Sequence, residues 1–170
     1  NNIAVTAKYL QKEFSINKVA IVDFDVHHCN GTQQIFWNDP NVFCGSIHQY
    51  PLFPGTGSED EIGVGNIFNA TVQAGTNSDK FIRVMNEKIL TNLDKFKPEI
   101  ILISAGFDAH KRDPLATINL ESQDYFTITK NISEISKIHC KGKIISFFEG
   151  GYDLIALKES IKEHIIGLCE

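Results

Sequence analysis

Two periods of apolar residues alternate along this 170-residue chain. Ile3, Ala7, Leu10 and Phe14 recur at the spacing of one face of a helix packed on a core. Lys18–Phe24 (KVAIVDF) is almost continuously apolar, as in a strand buried on both faces. Gly31–Trp37 reads as a short helix and Val42–Ile47 as a second strand, after which the prolines and glycines of HQYPLFPGTGSEDEIGVGN exclude regular structure. NIFNATV alternates as a modest strand. Ser78 is placed to cap a helix running to about Lys95, with Phe81, Val84, Met85, Ile89 and Leu93 on its apolar face. The rhythm then repeats as strand Glu99–Ser104, helix Ser122–Ile138, strand Lys143–Phe148, and a helix from Asp153 to about Gly167. Continuous apolar strands alternating with helices predict one α/β domain, a parallel sheet with helices on both faces.

Composition narrows the class of protein. With 42% hydrophobic and 22% charged residues the chain is neither disordered nor fibrous. A net charge of -5 without any Lys/Arg cluster argues against direct nucleic-acid binding. No apolar run approaches a membrane span. Cys29, Cys44, Cys140 and Cys169 form no C-x-x-C pair, so neither a zinc knuckle nor a disulfide framework is predicted, and a cytoplasmic setting is the expectation.

The ionisable residues follow the strands. DFDVHHCNGTQ (Asp23–Gln33) comes after the first, SIHQY after the second, SAGFDAHKRDP after EIILI and EGGYDL after KIISFF. Ligand sites in parallel sheets form in the loops beyond the carboxyl ends of strands. In extended chain, residues two apart point to one side, so Asp23, Asp25 and His27 share a face that Val26 and His28 do not. An Asp at a strand end also serves as a cap, and a lone His is often a satisfied polar residue. An adjacent Asp and His, offering one oxygen and one nitrogen, make half of a metal site. Asp108 is the natural third ligand, its alternative being a cap or a bond to Arg112. Two carboxylates and an imidazole offset a divalent charge and leave coordination positions open for water and substrate. So oxygen-rich a set admits Fe(II) beside zinc. Tyr152, following Gly150-Gly151, is free to face the site and donate to an oxyanion; on spacing alone a core tyrosine with its OH satisfied is the better reading.

Taken in order, DFDVHHCNGTQ, FPGTG, AGFDAHKRDPL and EGGYDL resemble the zinc-dependent histone deacetylase family, with wording nearest its class II and bacterial acetylpolyamine and acetoin-utilisation branches. The resemblance implies the arginase/deacetylase fold and hydrolysis of acetyl-lysine or acetylpolyamine amides by metal-activated water. It implies Zn2+ (Fe2+ as the alternative) on Asp25, His27 and Asp108, and Tyr152 as the transition-state tyrosine. His28, the second His of D-x-H-H, stands beside the ligand in the catalytic site, and Phe53 forms an aromatic wall of the acyl-lysine tunnel. A structural potassium ion falls to Asp23, Ser46 and Ile47 with backbone around Asp25 and His27, and a second monovalent site to the surroundings of Phe36, Asp39 and Val42.

Some positions depart from the family pattern: Cys29 stands for the usual Gly, His110 and Ala116 alter the loop after Asp108, and Asp153 replaces a common Asn. The family also carries an upstream G-H-H pair supplying general base and acid. Among His27, His28, His48, His110, His139 and His164 only one pair is adjacent, and it belongs to the metal motif. Residues 1–170 are therefore expected to be the carboxyl-terminal part of a catalytic domain, incomplete at its amino-terminal side. Alone, such a piece is expected to be a poor enzyme with an exposed apolar face and strand edge, prone to form a homo-oligomer or aggregate. A non-catalytic metal-binding or interaction domain is the alternative reading. A binuclear manganese, arginase-like branch is disfavoured, because Cys29 occupies the place where that branch wants an Asp.

Overall fold

The computed structural model describes residues 1–170. Its centre is β1 (Val19–Asp23), whose five residues are all buried. β2 (Val42–Gln49) and β4 (Ile100–Ala105) flank it, and β3 (Ile67–Val72) and β5 (Ile144–Phe148) complete a wholly parallel sheet in the order β3-β2-β1-β4-β5. The register sets Asp23, the last residue of β1, beside Ser46 on one side and Ser104 on the other. All the strand ends that carry polar motifs thus open on one edge of the sheet.

Alternation along the strands divides the core. Ala20, Val22, Ile101 and Ile103 join the larger cluster, under α3 (Ser78–Val84), a π-helical segment (Met85–Leu90), α4 (Thr91–Phe96) and α5 (Ser122–Cys140). Val19, Ile21, Val42 and Leu102 face the other way, under Ile3, Ala4, Ala7 and Leu10 of α1 (Asn2–Glu13) and Phe36 of α2 (Asn30–Phe36). Burying a side chain such as Ile21 or Phe36 contributes about 1.5–3 kcal/mol, so both faces of the centre are held apolar. α6 (Leu154–Cys169) lies along α5.

Three local expectations change. The helix anticipated from Ser78 is capped instead by Asn77, whose Oδ1 accepts from Lys80 N at 3.1 Å, while the Ser78 hydroxyl turns to Asp124. Its middle is π-helical, and the extra residue in that turn brings Met85 and Leu90 to one buried side. β2 runs on to Gln49, because His48 and Gln49 pair with Thr71 and Val72 of β3 although their side chains are polar.

Coverage of both faces fails at β5. α1 lies over β1 and β4, and β5 keeps an unpaired outer edge with Ile145 and Phe148 exposed. Leu154, Ile155 and Ile165 of α6 are exposed as well. The apolar face and free edge anticipated for the chain are therefore present.

Candidate metal centre

The chain leaves β1 in a bend held by its own carboxylates. Asp25 N donates to Asp23 Oδ1 and His27 N to Asp25 Oδ1, each at 2.9 Å. Such two-residue closures compete with strand hydrogen bonding, so the segment is not the extended chain assumed from the sequence. Phe24 and Val26 nevertheless point into the core while Asp25 and His27 sit half-buried opposite them. Asp108, fully buried in the loop after β4, accepts from Val26 N at 2.9 Å through Oδ1. Arg112, its alternative partner, lies instead 3.4 Å from Asp153.

Asp25 Oδ1 and Asp108 Oδ2 converge on His27 Nδ1, at 3.0 and 3.1 Å. The three residues offer ligand atoms that all lie within 4.8 Å of one another. Metal bonds of about 2.0–2.2 Å in a tetrahedral site put ligand atoms roughly 3.3–3.6 Å apart, so this group needs little adjustment to hold a divalent ion. Hydrogen bonds to Asp108 and Asp25 push His27 up to about 10. Burial, and then the Asp25 charge, raise Asp108. Burial, Asp25 and Glu149 raise Asp23. A cation held by Asp25 and Asp108 would relieve that crowding of charge. The backbone closes tightly behind them: a Cβ on Gly150 would collide with Asp108 Oδ2 and lie 2.8 Å from Asp25 Oδ2, and Gly150 N donates to Asp25 Oδ2 at 3.1 Å.

A cavity of about 1080 Å³ opens over this group, with Asp25, His27, Phe53, Leu115 and Tyr152 in its wall. Phe53 is 77% exposed, its ring edge-on to His27 at 6.4 Å between centroids. Tyr152 is 53% exposed, which removes the core-tyrosine alternative. Partial burial and the Asp108 and Asp25 charges raise its phenol, keeping it a protonated donor.

His28 borders the same cavity beside His27. It is buried, with Nδ1 2.8 Å from Thr56 Oγ1 and Nε2 3.0 Å from Gln33 Oε1. Gln33 passes the contact on to Glu61, whose Oε1 accepts from Gly57 N and Ser58 N at 2.9 and 3.0 Å. With both ring nitrogens engaged, His28 holds the loop that follows Phe53. His48, which sequence reasoning passed over, lies 4.8 Å from His28 between ring centroids and is bonded to Ser46 Oγ and Gly57 O. Burial, then the neighbouring His28, push it down to about 4. Only its place among polar residues at the end of a buried strand hinted at it.

The residues assigned to monovalent ions also come together. Asp23 and Ser46 are register partners and Ile47 follows, fully buried. At the second position the carbonyls of Phe36, Asp39 and Val42 converge on Asn66 Nδ2, at 2.8, 3.0 and 2.9 Å.

Fold and site define a parallel α/β domain whose strand ends gather two carboxylates and an imidazole suited to a metal ion. The histone deacetylase domain model matches residues 1–168, and the chain belongs to that family. It is 40% identical to the type-2 histone deacetylase 2 of Dictyostelium discoideum, over 100% of this chain and 11% of that protein. It is 38% identical to the chloroplastic histone deacetylase 14 of Arabidopsis thaliana, over 95% of this chain and 39% of that protein. The crystal structure of the HDA15 HD domain superposes with a TM-score of 0.93 at 35% identity, covering 100% of this chain and 49% of that one. The chain thus spans less than half the length of each of these relatives. No helix is long and apolar enough to cross a membrane.

Proposed function

We propose that this chain supplies the metal-binding and transition-state residues of a zinc-dependent deacetylase acting on acetyl-lysine peptides or acetylpolyamines. The observation that carries the reading is the convergence of Asp25, His27 and the buried Asp108, the first two lining one cavity with an exposed Tyr152. Zinc on those three residues would polarise the acetyl carbonyl and lower the pKa of water; Fe(II) suits the same oxygen-rich donors. Tyr152, held protonated, donates to the oxyanion that develops as the amide carbonyl becomes tetrahedral. Phe53 flanks the acyl chain, and His28 fixes the loop behind Phe53. Asp23, Ser46 and Ile47, with backbone of Asp25 and His27, form the potassium site behind the metal.

Elemental analysis of the full-length gene product is expected to give about one zinc or iron per chain, lost in Asp108→Asn. Tyr152→Phe is expected to lower kcat on a fluorogenic acetyl-lysine peptide about 10²–10³-fold with little change in KM, as for removal of an oxyanion donor. Tightly bound metal at the wild-type level in Asp108→Asn, or an unchanged kcat in Tyr152→Phe, defeats the assignment of that residue.

A further inference from the structure

Tyr152 is half-exposed, so the direction of its ring is set by its backbone, and that backbone is held from two sides. Upstream, Gly150 N donates to Asp25 Oδ2 at 3.1 Å and Gly150 O accepts from Phe107 N at 2.7 Å. Gly151 follows with φ +145°, and a Cβ there would lie 2.8 Å from Leu157 Cδ1. On the other side stands Asp113, only 8% exposed, whose Oδ2 accepts from Tyr152 N at 2.8 Å and whose Oδ1 accepts from Leu115 N at 2.9 Å. Its neighbour Arg112 lies 3.4 Å from Asp153 Oδ1, the oxygen that also caps α6 through Ala156 N. Two consecutive residues of the loop after β4 therefore grip two consecutive residues of the loop after β5.

We infer that Asp113 is a positioning residue for the deacetylase reaction. One carboxylate fixes the N–H groups of Tyr152 and Leu115, and both of those side chains line the cavity above Asp25 and His27. The inference rests on the role proposed for Tyr152. The bond to Leu115 alone is an ordinary two-residue Asx turn and explains nothing beyond its own loop. The bond to Tyr152 crosses between loops 39 residues apart in sequence, and a turn has no need of it. A buried carboxylate accepting two N–H groups is a strong, short-range constraint. A reacting group displaced by about 1 Å loses on the order of 10²-fold in rate.

The test uses the zinc-loaded full-length gene product, the same fluorogenic acetyl-lysine peptide, and Asp113→Ala, Asp113→Asn, Tyr152→Phe and the Asp113→Ala/Tyr152→Phe double variant. Asp113→Ala is expected to lower kcat about 10–100-fold with KM within about 3-fold, as a misplaced transition-state donor does. Asp113→Asn, which keeps one acceptor oxygen, falls between it and wild type. In the Tyr152→Phe background the same change adds less than about 3-fold, because the donor it places is gone. Amide exchange in Asp113→Ala is expected to quicken at Tyr152 and Leu115 and stay unchanged in β1 and β4. An unchanged kcat, a full additional loss on top of Tyr152→Phe, or exchange that quickens throughout the sheet each overturns the inference. If Tyr152→Phe itself leaves kcat unchanged, the role proposed for the tyrosine fails. The exchange of its amide then still decides whether Asp113 holds that loop.

Discussion

Acid is expected to destabilise this fold through His164, and the size of the effect follows from its surroundings. His164 sits on α6, 4% exposed, with Nδ1 2.6 Å from Thr129 Oγ1 of α5 and Nε2 2.8 Å from Ser146 Oγ of β5. The rings of Phe24 and Phe107 stand edge-on to it, at 5.8 and 5.7 Å between centroids. A neutral imidazole and two hydroxyls satisfy one another, whereas a buried charge has no anion to meet it. Burial accordingly pushes His164 down from 6.5 to about 4. Between those values the unfolded chain binds a proton that the folded chain refuses, so stability is fully present above pH 6.5 and declines as pH falls toward 4. The complete loss is about 3 kcal/mol, of which roughly a third has gone by pH 5.5 and most by pH 4.5. Urea unfolding of wild type and His164→Gln from pH 7.5 to 4.5 isolates the term, because His48, with the same sign, titrates in both. The wild type should lose about 2–3 kcal/mol more than the variant over that range. Parallel pH curves for the two proteins, or a His164 ring that titrates near 6.5 by NMR, would refute the reasoning.

Gly150→Ala should cut metal affinity about 10–100-fold, since its Cβ would push Asp108 and Asp25 off their shared centre; competition with a chelating dye measures it. Asn66→Ala removes the side-chain contact shared by the carbonyls of Phe36, Asp39 and Val42, of which the first two keep the N–H groups of Asp39 and Val42, and should cost about 0.5–1.5 kcal/mol in urea unfolding. Part of that loss should return in potassium chloride relative to choline chloride, because three convergent carbonyls suit a hard monovalent cation.

β1, β2 and β4 were legible in the sequence because burial on both faces writes a continuous apolar run. KIISFF writes the same run, yet β5 is a half-exposed edge: an apolar residue records that something can cover it, never what does. The polar residues that organise the site were harder to see. His48, Gln49 and Asn66 are buried with their hydrogen bonds met inside the chain, and a sequence shows polarity without showing burial. That His28 faces away from Asp25 and His27 was legible from the alternation, whereas its partners Gln33 and Thr56 were not. The grouping of Asp25 with His27 was legible although its assumed geometry was not. A two-residue offset gives one face in extended chain, and here a pair of side-chain-to-backbone bonds gives the same face in a bend. Asp113 was hidden in a Arg-Asp-Pro segment that reads as a turn, its partner 39 residues away.

Four carboxylates at and around the metal group also hold backbone. Asp23 takes Asp25 N, Asp25 takes His27 N and Gly150 N, Asp108 takes Val26 N, and Asp113 takes Leu115 N and Tyr152 N. Loops that carry chemistry are stitched by the groups that perform it, so removing a carboxylate changes charge and geometry together, and an alanine variant cannot say which change was felt. Asp108 allows the two to be separated. Its Oδ1 is committed to Val26 N and its Oδ2 to the metal group, so Asn can keep the first contact while losing the charge that the second requires. Both Asp108→Asn and Asp108→Ala should lose the metal. Only Asp108→Ala should also free the Val26 amide, whose exchange is expected to quicken at least about 10-fold, the equivalent of one hydrogen bond of about 1.4 kcal/mol. Equal protection of Val26 in the two variants would mean that the bend after β1 is held by Asp23 and Asp25 alone, and that Asp108 serves only the metal.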